Sequence, residues 1–230
     1  DQEDFDGDPW LLNCENGTLD LRTGELRGHC RDDLITRMVP VAYDPEAECP
    51  IFKRFLGEIV RGDQELEAFL QRAMGYSLTG VTRDQCLFMV QGPGANGKST
   101  FLNTISRLLG DYSAQTPTDT LLMKRGGSGI PNDLARLDGI RYVLATEVGT
   151  AQQLHEPLVK QITGGDELAV RFLYGEHFQI TPTFKLWMAT NHLPEIRGTD
   201  NGIWRRVHVV SLDLVIPNDA DDQDLPRKLD

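Results

Sequence analysis

No apolar run approaches the roughly 18 residues that a membrane-spanning helix requires, and the stretch Trp10-Leu11-Leu12 is far too short for the core of a secretory signal. The expectation is a cytoplasmic chain with no membrane partner. Among the four cysteines, Cys14, Cys30, Cys49 and Cys86, there is no Cys-x-x-Cys pair to nucleate a zinc site. Four reduced, mostly buried thiols are expected instead. Internal repeats and low-complexity tracts are also missing, and 40% hydrophobic residues in a chain of 230 exclude a fibrous or wholly disordered protein. Positive charge is scarce: 23 Lys and Arg stand against 35 Asp and Glu, a net charge of -12. Taken as a sum, that balance argues against a polyanionic partner.

The chain divides by pattern into four parts. Residues 1–9 form an acidic leader, with no methionine at position 1, and the whole reads as an excerpt of a longer protein. Residues 10–82 read as an accessory domain. Its first half consists of short strands and tight turns, with Asn16-Gly17 between apolar stretches as the hairpin signal. Ile51, Phe52, Phe55, Leu56, Ile59 and Val60 then fall on one face of a helix opened by Pro50, and Asp63 is placed to cap a second helix carrying Leu66, Phe69, Leu70, Ala73 and Met74. Residues 83–213 alternate strands with helices, which predicts an α/β layer with a parallel central sheet. The strands expected are 86–90, 113–118, 140–145, 184–190 and 207–212, with a helix over 98–109. Residues 214–230 read as an acidic linker.

Gly92-Pro93-Gly94-Ala95-Asn96-Gly97-Lys98-Ser99, followed by Thr100, fits G-x-x-x-x-G-K-[ST] between an apolar strand and a periodic helix. Glycines let successive backbone N–H groups turn around a phosphate, and the helix N-terminus adds positive potential. Lys98 is the expected contact to the β- and γ-phosphates of ATP, and Ser99 a ligand of Mg2+. The strand Arg141 to Thr146 ends in Glu147, which falls at the carboxyl edge of the sheet, where such folds bind ligands. Glu147 is thus the candidate catalytic carboxylate and second metal-site residue, with Thr146 where an acidic pair would have its first acid. Asn191, ending the strand Phe184 to Thr190, is suited to hold water against the γ-phosphate.

Together with Lys160 to Asp166, Arg171, Leu193-Pro194 and Gly202-Ile203-Trp204-Arg205-Arg206, these stretches resemble the superfamily 3 helicases. The likeness is to the primase-helicases of phages, plasmids and mobile elements related to the phage P4 and poxvirus D5 proteins, and it extends over Asn13 to Gly80. It implies an AAA+-like module that assembles as a hexameric ring around single-stranded DNA, with ATP at each subunit interface. A primase or polymerase module in the same full-length chain goes with the resemblance. By position in the family, Arg206 is taken over Arg205 as the arginine completing a neighbour's site. Residues 167–180 read as a hairpin, which in the family enters the pore. Tyr174 and His177 are then candidates to stack on or bond to DNA, and Lys160, Arg171 and Lys185 to meet phosphates. Lys124 and Arg125, in a basic Gly-rich loop, are further pore or interface candidates.

The reading is therefore an ATP-driven DNA helicase motor of a replication protein. The alternative is an ATP- and DNA-binding platform that unwinds nothing in this excerpt; a small-molecule kinase leaves the hairpin, the Asn191 strand and the paired arginines without a use. Charge by segment weakens the initial objection to DNA to a narrower claim. Residues 1–80 carry 8 basic and 17 acidic groups, residues 81–159 seven of each, residues 160–210 six and five, and residues 211–230 two and six. Acidity belongs to the accessory part and the tail, which would discourage DNA anywhere but in the pore.

Overall fold

The computed structural model describes residues 5–123, 132–146, 152–172, 175–217, 222 and 224–229. Strands Leu11–Cys14 (β1), Gly17–Asp20 (β2) and Glu25–Arg27 (β3) form an antiparallel meander. The loop between β1 and β2 is Glu15-Asn16, with Gly17 already paired to Cys14. Gly17 is required by close approach: a Cβ there would run into the Arg27 carbonyl oxygen of β3. Asn16 instead ties the meander to the following segment, donating from Nδ2 to the Tyr43 carbonyl and accepting from the Tyr43 N–H at 2.8 Å.

Helices Pro50–Ile59 (α1) and Gln64–Leu78 (α2) follow. Pro50 opens α1, and Asp63 caps α2 by accepting from the Glu65 and Leu66 N–H groups, both at 3.0 Å. The remaining elements are Leu87–Gln91 (β4), Lys98–Leu109 (α3), Ser113–Pro117 (β5), Tyr142–Thr146 (β6), Glu156–Gly164 (α4), Leu168–Arg171 (β7), His177–Ile180 (β8), Lys185–Thr190 (β9), Asn201–Trp204 (α5), Val207–Ser211 (β10) and Leu225–Lys228 (α6).

The parallel central sheet is present, in the order β10-β4-β9-β6-β5, and β7 and β8 form the expected hairpin. Side-chain alternation divides the sheet between two apolar clusters. Phe88, Val90, Tyr142, Leu144 and Trp187 face α1, α2 and α3; Leu87, Met89, Val143, Ala145, Leu186 and Met188 face α4 and the β7–β8 hairpin. Trp187 is fully buried, its ring stacked 4.4 Å from that of Phe88, and its Nε1 donates to Ser77 Oγ of α2 at 3.0 Å. The accessory helices and the sheet therefore share one hydrophobic cluster. Of the cysteines, Cys14 and Cys86 are buried, but Cys30 and Cys49 are exposed, which corrects the expectation of mostly buried thiols.

Two buried cations hold the same junction. Lys185, 1% exposed, donates to the Thr79 carbonyl and to the Val81 carbonyl at 3.2 Å. Arg141 donates to the Leu78 carbonyl of α2 and the Leu11 carbonyl of β1, each at 2.7 Å. The negative end of the α2 dipole, spread over its last carbonyls, compensates these charges in place of carboxylates. Lys185 is thus withdrawn from any DNA strand, which corrects its assignment as a phosphate contact: its ammonium is spent inside the fold. Desolvation, with repulsion from Arg141 second, lowers its pKa to about 7.

A depressed lysine pKa means that the folded state binds fewer protons than the unfolded chain above pH 7. Conformational stability is therefore expected to rise between pH 7 and pH 9, and Lys185→Met to flatten that rise. Urea unfolding midpoints measured across this window for both proteins check it; parallel slopes would refute it.

Candidate functional site

The carboxyl ends of three adjacent strands make the site. Gln91 of β4 is paired with Thr190 of β9, and Thr146 of β6 with Ala189 of β9. Because β9 is inserted between β4 and β6, Asn191 sits between the loop after β4 and the end of β6. Ligands of open parallel sheets bind at this edge.

The loop from Gly92 to Gly97 leads from β4 into α3. Gly94, Ala95 and Gly97 have φ of 103°, 46° and 78°, left-handed or nearby conformations that turn the backbone around a concavity. Gly97 immediately precedes the 12-residue α3, whose N-terminus opens onto that concavity. Two glycines are dictated sterically. A Cβ at Gly92 would overlap the Asn96 amide and the Leu212 carbonyl, and one at Gly97 would lie 2.7 Å from Ile59 Cγ2 and 3.0 Å from the Phe55 ring. Helix α1 is consequently part of the wall behind the loop.

Lys98 is 6% exposed, and its Nζ donates to the Gly92 carbonyl at 2.9 Å, Asn96 Oδ1 at 3.2 Å and Asn191 Oδ1 at 3.1 Å. Among the described residues all three acceptors are neutral, and desolvation lowers the pKa of the ammonium. A buried cation with neutral acceptors beside a helix N-terminus fits a polyanion. Ser99 is exposed in the first turn of α3 and Thr100 is half-buried behind it. Asn96 Nδ2 donates to the Leu212 carbonyl at 2.8 Å, and the Ile216 N–H donates to the Ala95 carbonyl at 2.6 Å, so the chain after β10 straps the loop. Between that strap and α1 lies a cavity of about 350 Å³, lined by Ile51, Phe55, Ile59, Val215, Ile216 and Pro217 among others.

The other assignments separate. Glu147, Lys124, Arg125 and Tyr174 lie outside the described residues; Thr146, directly before Glu147, closes β6 at the same edge as Asn191. Arg171 and His177 are exposed and face each other across the β7–β8 hairpin. Lys160 is half-buried and paired with Asp200 at 2.7 Å, so its charge is already partnered. Arg206 corrects the sequence reading: it is 7% exposed, with Nε donating to Thr163 Oγ1 at 3.0 Å and Nη1 to the Gly202 carbonyl. It is turned into its own chain, where it fastens α4 to α5. Arg205 is exposed and rests on Gln85 Oε1. One residue escaped the sequence reading: Phe172 beyond β7 is 51% exposed, its ring 5.4 Å from that of Phe178. The alternation Leu168, Val170, Phe172 was its signal. No cluster of three or more metal-ligating side chains occurs among the described residues.

The same features connect the chain to known proteins. A model of D5 N-terminal-like sequences matches residues 1–61, and a family of unknown function (DUF5906) matches residues 90–206. A candidate helicase, L207/L206, of Acanthamoeba polyphaga mimivirus is 30% identical over 90% of this chain and 22% of its own length. Candidate helicase 022R of Frog virus 3 is 30% identical over 73% of this chain and 19% of its own length. Candidate primase C962R of African swine fever virus (isolate Tick/Malawi/Lil 20-1/1983) is 29% identical over 88% of this chain and 22% of its own length. The chain thus spans about a fifth of these relatives' length. Among solved structures, the apo C-terminal region of NrS-1 superposes with a TM-score of 0.61 at 14% identity, over 83% of this chain and 43% of that one, a likeness of fold. With residues 90–206 matched, the chain belongs to the DUF5906 family, and its N-terminal region is similar to D5 N-terminal-like sequences.

Proposed function

We propose that this chain is the ATP-hydrolysing motor of a replication helicase, working as a hexameric ring that translocates on single-stranded DNA. The observation that carries the reading is Lys98: a buried ammonium with neutral acceptors, held at a left-handed loop and a helix N-terminus. Phosphate oxygens would satisfy that charge better than the Gly92 carbonyl does. The cavity between α1 and Val215 to Pro217 adjoins the loop, and its apolar side chains, with Arg54, Glu58 and Asp222 also in the lining, suit a purine base.

In this reading the residues divide the chemistry. The loop N–H groups and Lys98 bind the phosphates, with Ser99 and Glu147 holding Mg2+, whose contribution when bound is to neutralise charge developing on the phosphate oxygens. Glu147 takes a proton from the attacking water, and Asn191 orients that water from its place between β4 and β6. Arg205, exposed where Arg206 is buried, reaches a neighbouring subunit's γ-phosphate. The β7–β8 hairpin, with Arg171 and His177 facing outward, meets the DNA strand.

Lys98→Ala should abolish nucleotide binding measured by calorimetry, while Glu147→Gln should retain binding and lose turnover. The arginine pair separates in one experiment. Arg205→Ala should leave unfolding stability unchanged and lower DNA-stimulated hydrolysis by about 10³-fold or more. Arg206→Ala should lower stability by about 1.5–3 kcal/mol through its lost charged hydrogen bonds. The reverse assignment of effects would restore Arg206 as the trans-acting group, and full hydrolysis by a strictly monomeric sample would refute the ring.

A further inference from the structure

Asn96 is 2% exposed and uses both ends of its amide. Its Oδ1 accepts from Lys98 Nζ at 3.2 Å, and its Nδ2 donates to the Leu212 carbonyl at 2.8 Å. Leu212 directly follows β10, and its N–H is anchored on the Gln91 carbonyl at 2.8 Å. At the opposite end of β10 the Arg206 carbonyl accepts from the Leu87 N–H at 2.7 Å, with Trp204 and Arg205 just before it. One edge strand, hydrogen-bonded among the described residues to β4 alone in the central sheet, therefore joins the glycine-rich loop to the exposed Trp204–Arg205 pair.

We propose that Asn96 is a positioning residue that relays the state of Lys98 through Leu212 and β10 to Trp204 and Arg205. The inference rests on the nucleotide reading above. Lys98 has two arrangements: retracted onto Gly92, Asn96 and Asn191, as seen here, or extended to phosphate oxygens. Extension takes the cation, and with it the charge-assisted bond, from Asn96 Oδ1, which keeps only the longer 3.4 Å contact from the Lys98 backbone N–H. The Asn96 amide then reorients, and its other end holds the Leu212 carbonyl. Because β10 has a single sheet neighbour, a small shift along its axis disturbs one ladder of hydrogen bonds rather than two. Such a coupling requires an element with two discrete arrangements that both sites bias, and the Lys98–Asn96 contact supplies it.

Trp204 is the natural reporter: it is 51% exposed, with Nε1 donating to the Gly198 carbonyl at 2.7 Å. In the full chain, titration with ADP or a non-hydrolysable ATP analogue should change the Trp204 emission, isolated by subtracting the Trp204→Phe protein. Asn96→Ala, compared at nucleotide concentrations that saturate it, should lose the emission change. Asn96→Asp preserves shape and the acceptor for Lys98 but replaces the donor to Leu212 by an oxygen; it should be uncoupled too, and serves if the alanine variant fails to fold. Should neither fold, amide exchange in the wild-type chain decides: nucleotide should alter protection at Leu212 and Ile216. Nucleotide binding with silent Trp204 emission, unaltered emission changes in folded Asn96 variants, or unchanged exchange would each overturn the relay. Absence of nucleotide binding by the wild-type chain would instead overturn the reading on which it rests.

Discussion

Two cations sunk beneath a parallel sheet with carbonyls, not carboxylates, for partners set the terms of this fold. Removing an ammonium and a guanidinium from water is costly unless each finds fixed dipoles. Lys185 and Arg141 find them at the end of α2 and on β1. The sheet cannot be completed by its own helices, because the acceptors belong to the segment that precedes it. Trp187 makes the same demand in apolar terms, burying its ring against Phe88 and its indole N–H against Ser77. Charge and packing together fix where α1 and α2 lie, and α1 in turn fixes the back of the phosphate loop through Phe55 and Ile59.

From that docking the site acquires its asymmetry. One wall is backbone, turned inward by Gly94, Ala95 and Gly97; another is the strap after β10; the third is the end of β9, carrying Asn191. Lys98 touches all three through Asn96, Gly92 and Asn191, so its position registers the whole edge. The order β4-β9-β6 makes this possible, since a sheet with β4 and β6 adjacent would leave no place for an amide between them.

The strands, α3 and the β7–β8 hairpin were legible in the sequence because hydrophobic period, caps and the glycine-rich motif agreed over the same residues. That Lys98 and Asn191 share one sheet edge was legible for a related reason: each terminates or begins a strongly patterned element. What failed was the direction of single charged side chains. Lys185 opens an apolar strand, a position that reads as a solvent-facing start, and only the docked end of α2 turns it inward. Arg205 and Arg206 are adjacent and alike in sequence; which one faces the chain follows from the entry of β10 beside β4 and the nearness of Thr163 and Gly202. The cysteines failed similarly, since Cys30 and Cys49 lie in connections whose path no periodicity announces.

The contact between Gly97 and α1 also bears on how this protein is divided. A fragment cut to begin at β4 would keep every residue of the phosphate motif and lose the surface against which its last glycine is moulded. It would uncover Phe88 and Trp187 and strand two cations without their carbonyls. The smallest piece that retains these contacts starts near Trp10, and the segment preceding the glycine-rich loop is half of its foundation rather than an attachment.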